Sequence, residues 1–423
     1  MKPLDGKKLL ILGACANQIS LIKRAKELGV YVVVTDYYKD RKISPAKDYA
    51  DEAWDVSWSD IDRMVELCVQ NSIDGITTGY SEIRVDSLIN LCSKLKLPCY
   101  ITREQFEITK NKEKFKQECR KCGVPVVKEY NNITDVAQFP VIVKPVDRGG
   151  SIGISVANTP EELHKAYQYA MEMSLSKRVI IEDFITDSMK IDAYYLIKDG
   201  EPILAGTSDT INSNMNGTER VIQNGWIFPS RMHDIFVTKI DESLKLMIKD
   251  INIKTGYIFF SGFVNPEGEF AFFECGFRLS GGHNYTYLSQ KGFVNPLDLF
   301  IYQALCGDEG LPDLGEDRVP ELKCLIINFY AKAGKIKKII GFDRVRTFKD
   351  CVSSIVFAYE GQECISEKAI LTKVGMINLC NVFADQLETE LQKIYNTISI
   401  IDVNNTDMIY DRIDCNLIGS WWT

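Results

Sequence analysis

Over its first hundred residues the chain alternates short apolar runs with segments of helical spacing, and no other feature restricts its fold as much. "KKLLILG" reads as a strand, and "NQISLIKRAKELG" after it carries helical spacing and closes on Gly29, a common helix stop. "VYVVVTD" is a second strand, followed by a helix near 60–70, the strand "DGITTG" and a helix near 82–95. Strands separated by helices of this length predict a parallel, doubly wound sheet. Asp36 closes the second strand, where a dinucleotide site carries its ribose-binding acid. The turn "GACANQ" offers Gly13 alone where that site takes three glycines, so close approach of a pyrophosphate is not provided for. A small substrate at this sheet edge is compatible with it.

With 423 residues the chain is too long for one core, so two or three domains are expected. The 50 basic and 58 acidic residues give a charge of -8 without long like-charge blocks, which disfavours a nucleic-acid surface. No stretch approaches the roughly 18 apolar residues of a membrane span, and the N-terminal apolar run is shorter than a signal-peptide core. A cytoplasmic protein with no membrane contact is the expectation. The thirteen cysteines show no disulfide-like framework. Cys119 and Cys122 read C-x-x-C, but with Phe115 they share one helix face and are assigned to core packing. Three histidines, His164, His233 and His283, leave little for a histidine-rich metal centre.

"TKNKEKFKQECRKCGVPVVKEY" is a lysine-rich helix that stops at Gly123. After residue 139 the pattern changes to hairpins: "VIVKPV", a glycine loop, "IGISVAN", a helix opened by the cap "TPEEL", then "RVIIEDFI". Two further hairpins turn at "KDGE" and "PEGE", and "GDEGLPDLGEDRVP" marks a boundary before a mixed closing module. Lys144 ends an apolar strand, where burial disfavours its charged form unless an anion is supplied. The hairpin beside it, "DRGGSIG", lets backbone N–H groups approach phosphate oxygens, and Ser151 adds a hydroxyl. Glu182 and Asp183 follow 38 positions later on a strand, and Glu274 with Arg278 stands on another strand leading toward glycines.

This ordered set resembles the ATP-grasp superfamily, most closely phosphoribosylglycinamide synthetase, biotin carboxylase-like proteins and L-amino-acid ligases. The resemblance implies an α/β chain with a Rossmann-like pre-ATP-grasp domain over 1–105. An ATP-grasp domain over 106–312 would follow, with a small lid subdomain at about 126–184, and then a C-terminal α+β module over 313–423. It implies that Lys112 and Lys144 meet the phosphates and that Arg148, Gly149, Gly150, Ser151 and Gly153 cover the triphosphate. Glu182, Asp183 and Ile185 match the stretch that reads adenine, with Ile142, Phe184 and Phe273 as walls. Arg278 matches the arginine that braces the transferring phosphoryl group, and Glu274 the acid that holds Mg²⁺ or Mn²⁺. The implied activity is an ATP-dependent ligase joining a small-molecule carboxylate to an amine or thiol through an acyl phosphate; a homodimer is compatible with it. The metal site departs from the pattern: Gly262 stands for the first acid, on the paired strand, and Gly276 for an asparagine two residues after the second, and no ribose-binding acid is evident in "TDSMKIDAY". The alternative is a nucleotide-binding protein without turnover that serves a regulatory or partner-binding role.

Overall fold

The computed structural model describes residues 4–147, 152–185, 188–214, 221–365, 372–382 and 385–419. At the N-terminus β1 (Lys8–Leu12), β2 (Tyr31–Thr35), β3 (Glu52–Trp54) and β4 (Gly75–Thr77) form a parallel sheet in the order β3-β2-β1-β4. The apolar run of β1 is buried because helices cover the sheet, among them Gln18–Glu27, which turns Leu21, Ile22 and Ala25 inward. The strand order reverses at β1, which lies between β2 and β4. The loops leaving β1 and β4 therefore part at their carboxyl ends.

The lid follows. Its strands β5 (Glu129–Tyr130), β6 (Val141–Pro145), β7 (Ser155–Ala157) and β8 (Val179–Asp183) pair antiparallel in the order β5-β8-β6-β7. Helix Pro160–Met173 covers them, with Thr159 Oγ1 accepting from the Glu162 N–H at 3.2 Å as its cap. Val141, Val143, Leu163, Ala166, Ala170 and Ile181 make a small core of the lid's own.

The remaining strands are β9 (Met189–Lys198), β10 (Glu201–Asn214), β11 (Val221–Phe228), β12 (Gly256–Val264), β13 (Phe270–Gly276), β14 (Cys324–Ala331), β15 (Gly334–Ile340), β16 (Cys351–Val356), β17 (Glu363–Cys364), β18 (Thr372–Cys380) and β19 (Ser399–Asp402). Eight of them form one sheet, β13-β12-β9-β10-β11-β14-β18-β16, and β17-β15-β19 form another. The β9–β10 turn places Asp199 at φ 55° and Gly200 at φ 79°, the left-handed pair a tight hairpin requires. β12 pairs antiparallel with both β9 and β13, so residues far apart in sequence share one sheet.

Two links fix the N-terminal sheet against the large one. Helix Pro296–Cys306 is buried along nearly its whole length, and its Asp298 takes both Arg24 Nε (2.6 Å) and Arg24 Nη2 (2.9 Å) from helix Gln18–Glu27. His283, fully buried beyond β13, donates from Nε2 to Asn17 Oδ1 at 2.9 Å and stacks on Tyr80 at 4.6 Å. Burial lowers its pKa to about 3, so the ring stays neutral and fills this polar joint as a hydrogen-bonding group. Among the described residues no helix is long and apolar enough to cross a membrane.

Candidate functional site

Lys144 reaches the expected neighbourhood because β6 pairs with β8: Ile142 stands opposite Glu182, and Lys144 lies two residues on, on the same face. Its Nζ sits 2.5 Å from Glu182 Oε2. The other carboxylate oxygen of Glu182 pairs with Lys116, which also holds Glu129 Oε1 at 2.9 Å, and Arg120 completes the cluster on Glu129. Burial pushes Lys144 well below the usual lysine range, and the charges of Lys116 and Lys112 push it further. Burial likewise brings Lys116 down to about 8 against the pull of Glu129. Burial raises the Glu129 carboxyl, but Lys116 and Arg120 outweigh it and hold the group below its ordinary value.

Asp183 has a different surrounding: its Oδ1 accepts from Tyr130 OH at 2.6 Å, and its N–H bonds the Lys128 carbonyl at 3.1 Å. Ile185 is half-buried just past the end of β8. Phe273 presents its ring to two lysines, Lys144 at 5.8 Å and Lys190 at 5.9 Å. Gly153 has φ 76°, and a Cβ there would lie 2.7 Å from both Pro145 Cγ and Met173 Cβ. Only glycine fits at that return of the hairpin. Arg148, Gly149, Gly150 and Ser151 lie outside the described residues.

Three elements build the other charged end of the site. Lys112 opens helix Lys112–Lys121, whose cap Asn111 accepts from the Glu113 N–H (3.0 Å) and the Lys114 N–H (3.1 Å). Burial lowers Lys112, with Glu274, Glu82 and Asp147 pulling the other way. Glu274, exposed on β13, is therefore within Coulomb reach of Lys112. Arg278 lies just beyond β13, its guanidinium over the Phe259 ring at 5.3 Å and its Nε 4.0 Å from Glu82 Oε2. Burial raises the Glu82 carboxyl; Arg278 opposes this and Glu274 adds to it. Lys112, Glu274, Arg278 and Glu82 thus face one space, with Lys144 within charge reach at the end of β6.

A divalent ion in that space would find one carboxylate on the strand pair. Ser261 stands opposite Glu274 and Gly262 opposite Phe272, because β13 carries one extra residue, Phe273, between the two pairs. A Cβ at 262 would lie 2.9 Å from Phe272 Cδ1 and 3.1 Å from the Ala271 carbonyl. A Cβ at 276 would lie 2.4 Å from Phe259 Cζ. Aromatic rings fill the volume that two more ligands would need. Asp192, across Ser261, already accepts from Ser261 Oγ at 2.5 Å and Trp226 Nε1 at 3.1 Å. The donor set still fits Mg²⁺ in its sparest form, one carboxylate with the rest from phosphate and water, and Glu274 would hold it.

Sequence reasoning missed Lys116, Glu129 and Glu82. Lys116 follows the buried Phe115 and lies three residues before the buried Cys119, a spacing that puts it on the inner face but that the neighbouring lysines mask. Glu129 and Glu82 carried no local signal; the first is placed by the β5–β8 pairing and the second by the loop after β4.

Comparison with known proteins identifies the fold. The model of the D-ala D-ala ligase C-terminus matches residues 93–208. The formate-dependent phosphoribosylglycinamide formyltransferase of Methanocaldococcus jannaschii is 26% identical over 195 residues, which cover 44% of this chain and 49% of that protein. The matched segment spans about half the length of the curated relatives. Among solved structures, an L-amino acid ligase from Bacillus licheniformis superposes with a TM-score of 0.74 at 18% identity, covering 94% of this chain and 99% of that one. The biotin carboxylase domain of the Hydrogenobacter thermophilus 2-oxoglutarate carboxylase, solved with MgADP and bicarbonate, gives 0.76 at 17% identity, covering 93% and 90%. The chain has the ATP-grasp fold.

Proposed function

We propose that this chain with the ATP-grasp fold is an ATP-dependent ligase that activates a small-molecule carboxylate as an acyl phosphate and joins it to an amine. The observation that carries this reading is the gathering of Lys112, Glu274 and Arg278 around one space, with Lys144 beside it on the lid strand. Lys112 and Lys144 suit the triphosphate, and Glu182, Asp183 and Ile185 the base, with Arg148, Gly149, Gly150, Ser151 and Gly153 over the phosphates.

In this reading a carboxylate oxygen attacks the γ-phosphorus, the bond to the bridging oxygen breaks, and ADP leaves with the electron pair. The amine nitrogen then attacks the acyl carbon, the bond to the phosphate oxygen breaks, and phosphate departs while the amine gives up its proton. Arg278, 4.0 Å from Glu82 and donating from Nη1 to the Leu279 carbonyl at 3.1 Å, braces the phosphoryl oxygens as charge moves onto them. A divalent ion held by Glu274 would neutralise γ-phosphate charge. Lys144 must exchange Glu182 for phosphate when nucleotide enters. Lys116 stays on Glu182, so that buried carboxylate is never left without a cation.

The test is to incubate the protein with ATP, Mg²⁺, hydroxylamine and a panel of carboxylic acids, scoring hydroxamate against ADP. Hydroxamate and ADP in equal amounts support the ligase. The rings at 262 and 276 favour a second reading, a nucleotide-binding protein without turnover; tight ATP binding with no ADP above background for any acid would select it.

A further inference from the structure

Helix Val85–Leu95 ends by turning the chain back on itself. Lys96 takes the left-handed φ of 55°, and the Lys96 and Leu97 N–H groups both close on the Cys92 carbonyl, the second at 3.0 Å. Pro98 offers no N–H to prolong the helix, so Cys99 is delivered beside its last turn. There its thiol meets that of Cys92, seven residues earlier, and the two hydrogen-bond to each other.

The partners are unequal. Cys92 is 1% exposed, and its bond to Cys99, together with burial, holds its thiol protonated and well above the usual thiol range. Cys99 is half-buried, and the same bond, helped by the Ile101 N–H and the charge of Arg103, draws it below that range against the opposing pull of burial. Arg103 is itself anchored on Asp86 and Asn90 of the helix. A reachable sulfur with thiolate character beside a second, protonated thiol is a nucleophile with its resolving partner. Closeness alone does not give this: Cys324 and Cys380 face each other across β14 and β18 with Sγ atoms 3.1 Å apart, yet both are buried, and burial pushes Cys324 well up. Cys68 lies within charge reach of Cys92, but burial pushes its thiol up to about 12.

Cys99 is followed by Tyr100, whose ring meets Phe277 edge-on at 5.3 Å and Phe300 at 4.8 Å. Its buried hydroxyl has no hydrogen-bond partner among the described residues, and it lies within charge reach of Cys99 and Cys92 on one side and of Arg278 and Glu82 on the other. Phe277 is the residue before Arg278. We propose that Cys92 and Cys99 form a peroxide-sensitive dithiol whose closure to a disulfide displaces Tyr100 and, through Phe277, the segment that carries Arg278. The Cys99 thiolate attacks one oxygen of a hydroperoxide, the O–O bond breaks, and the leaving oxygen takes up a proton, so Cys99 becomes a sulfenic acid. The Cys92 sulfur then attacks the Cys99 sulfur, the S–O bond breaks, and hydroxide departs as water with the Cys92 proton. Two electrons pass from the thiols to the peroxide, and a dithiol reductant reverses the step. Bonded sulfurs stand about 2 Å apart, well inside a thiol hydrogen bond, so Cys99 is drawn toward the helix and Tyr100 follows.

The test treats the full chain with hydrogen peroxide, blocks remaining thiols with N-ethylmaleimide and digests with trypsin. Lys94 and Lys96 separate the two cysteines, so their peptides stay together only through the disulfide. Mass spectrometry should find a Cys92–Cys99 bridge that dithiothreitol removes, with Cys324 and Cys380 still thiols. Cys92→Ser should stop at a Cys99 sulfenic acid trapped by dimedone, and Cys99→Ser should leave Cys92 unoxidised. Hydrogen-exchange protection over residues 275–280 should change at least about twofold on oxidation of wild type and not in Cys92→Ser. No bridge between 92 and 99, a bridge from Cys92 to Cys68, earlier oxidation of Cys324 and Cys380, or unchanged exchange in fully bridged protein would overturn it. The wild-type mapping and exchange decide the matter even where a serine variant fails to fold, and neither depends on the ligase reading.

Discussion

Gly276→Ala is the smallest change that tests why the metal position is thin. The new Cβ would lie 2.4 Å from Phe259 Cζ, 2.5 Å from Cε1 and 3.2 Å from Cε2. Ordinary contact begins at 3.4 Å, so the ring must retreat by about 1 Å (3.4 − 2.4). It is hemmed by Arg278 at 5.3 Å and Tyr257 at 6.4 Å. Overpacking of this size costs about 1–3 kcal/mol. Phe259→Leu removes the obstructing atoms, so the penalty should vanish in that background and a double-mutant cycle should give a coupling of at least about 1 kcal/mol. Urea midpoints for wild type, both single variants and the double variant supply the cycle. Since residues 274 and 276 share one face of β13, Gly276→Asn in the Phe259→Leu background should then tighten Mg²⁺ in the ATP complex, whereas Gly276→Asn alone should not. An unchanged midpoint for Gly276→Ala, or an equal loss with and without Phe259, would refute the idea that the ring excludes the ligand.

Lys144→Ala should weaken ATP at least about tenfold, the low end for a charge-assisted hydrogen bond of ~1.5 kcal/mol, by calorimetry; equal affinity would remove Lys144 from the nucleotide site. Lys116 should give wild type a stability that rises with pH relative to Lys116→Met. With its folded value at about 8 against the usual 10.5, the unfolded chain binds more protons between those limits, giving at most about 1.4 kcal/mol per pH unit. Denaturation at pH 7, 8, 9 and 10 checks it, and a parallel pair of curves counts against a buried, charged Lys116. Arg278→Ala should cut kcat far more than it raises the ATP KM, because its charge is needed as the phosphoryl group moves; steady-state kinetics with the acid found in the hydroxamate screen decide it.

What was readable in the sequence was local. The strand around "VIVKPV", the cap at Thr159 and the two hairpins are set by patterns within ten or fifteen residues, and they stand where those patterns put them. Lys144 and Glu182 each stood out, one as an apolar strand's terminal cation and the other as an acid in an apolar run. That they pair with each other follows from the β6–β8 register, which neither segment encodes alone. Lys116 was hidden by its company, since lysines on a lysine-rich helix are usually solvated. The bulge at Phe273 was hidden too: nothing in "FFECGF" marks the extra residue that sets Gly262 opposite Phe272, and only the packing of Phe272 accounts for the glycine. The pairing of β11 with β14 joins strands about a hundred residues apart and left no mark in either.

That pairing bears on how such a chain can be divided and recombined. The small four-stranded unit carries its own sheet and core, so it is exchangeable only for another that brings acids to the buried Lys116, as Glu129 and Glu182 do here. The last hundred residues are not. Severing the chain at 312 strips β14 from β11 and bares the edge formed by Gly225, Trp226, Ile227 and Phe228, an apolar row with open hydrogen-bonding groups. Such a fragment is expected to self-associate through that edge, so a recombinant library built from relatives of this protein should carry everything from β9 to β18 as one inheritance, and Lys116 together with the acids that meet it.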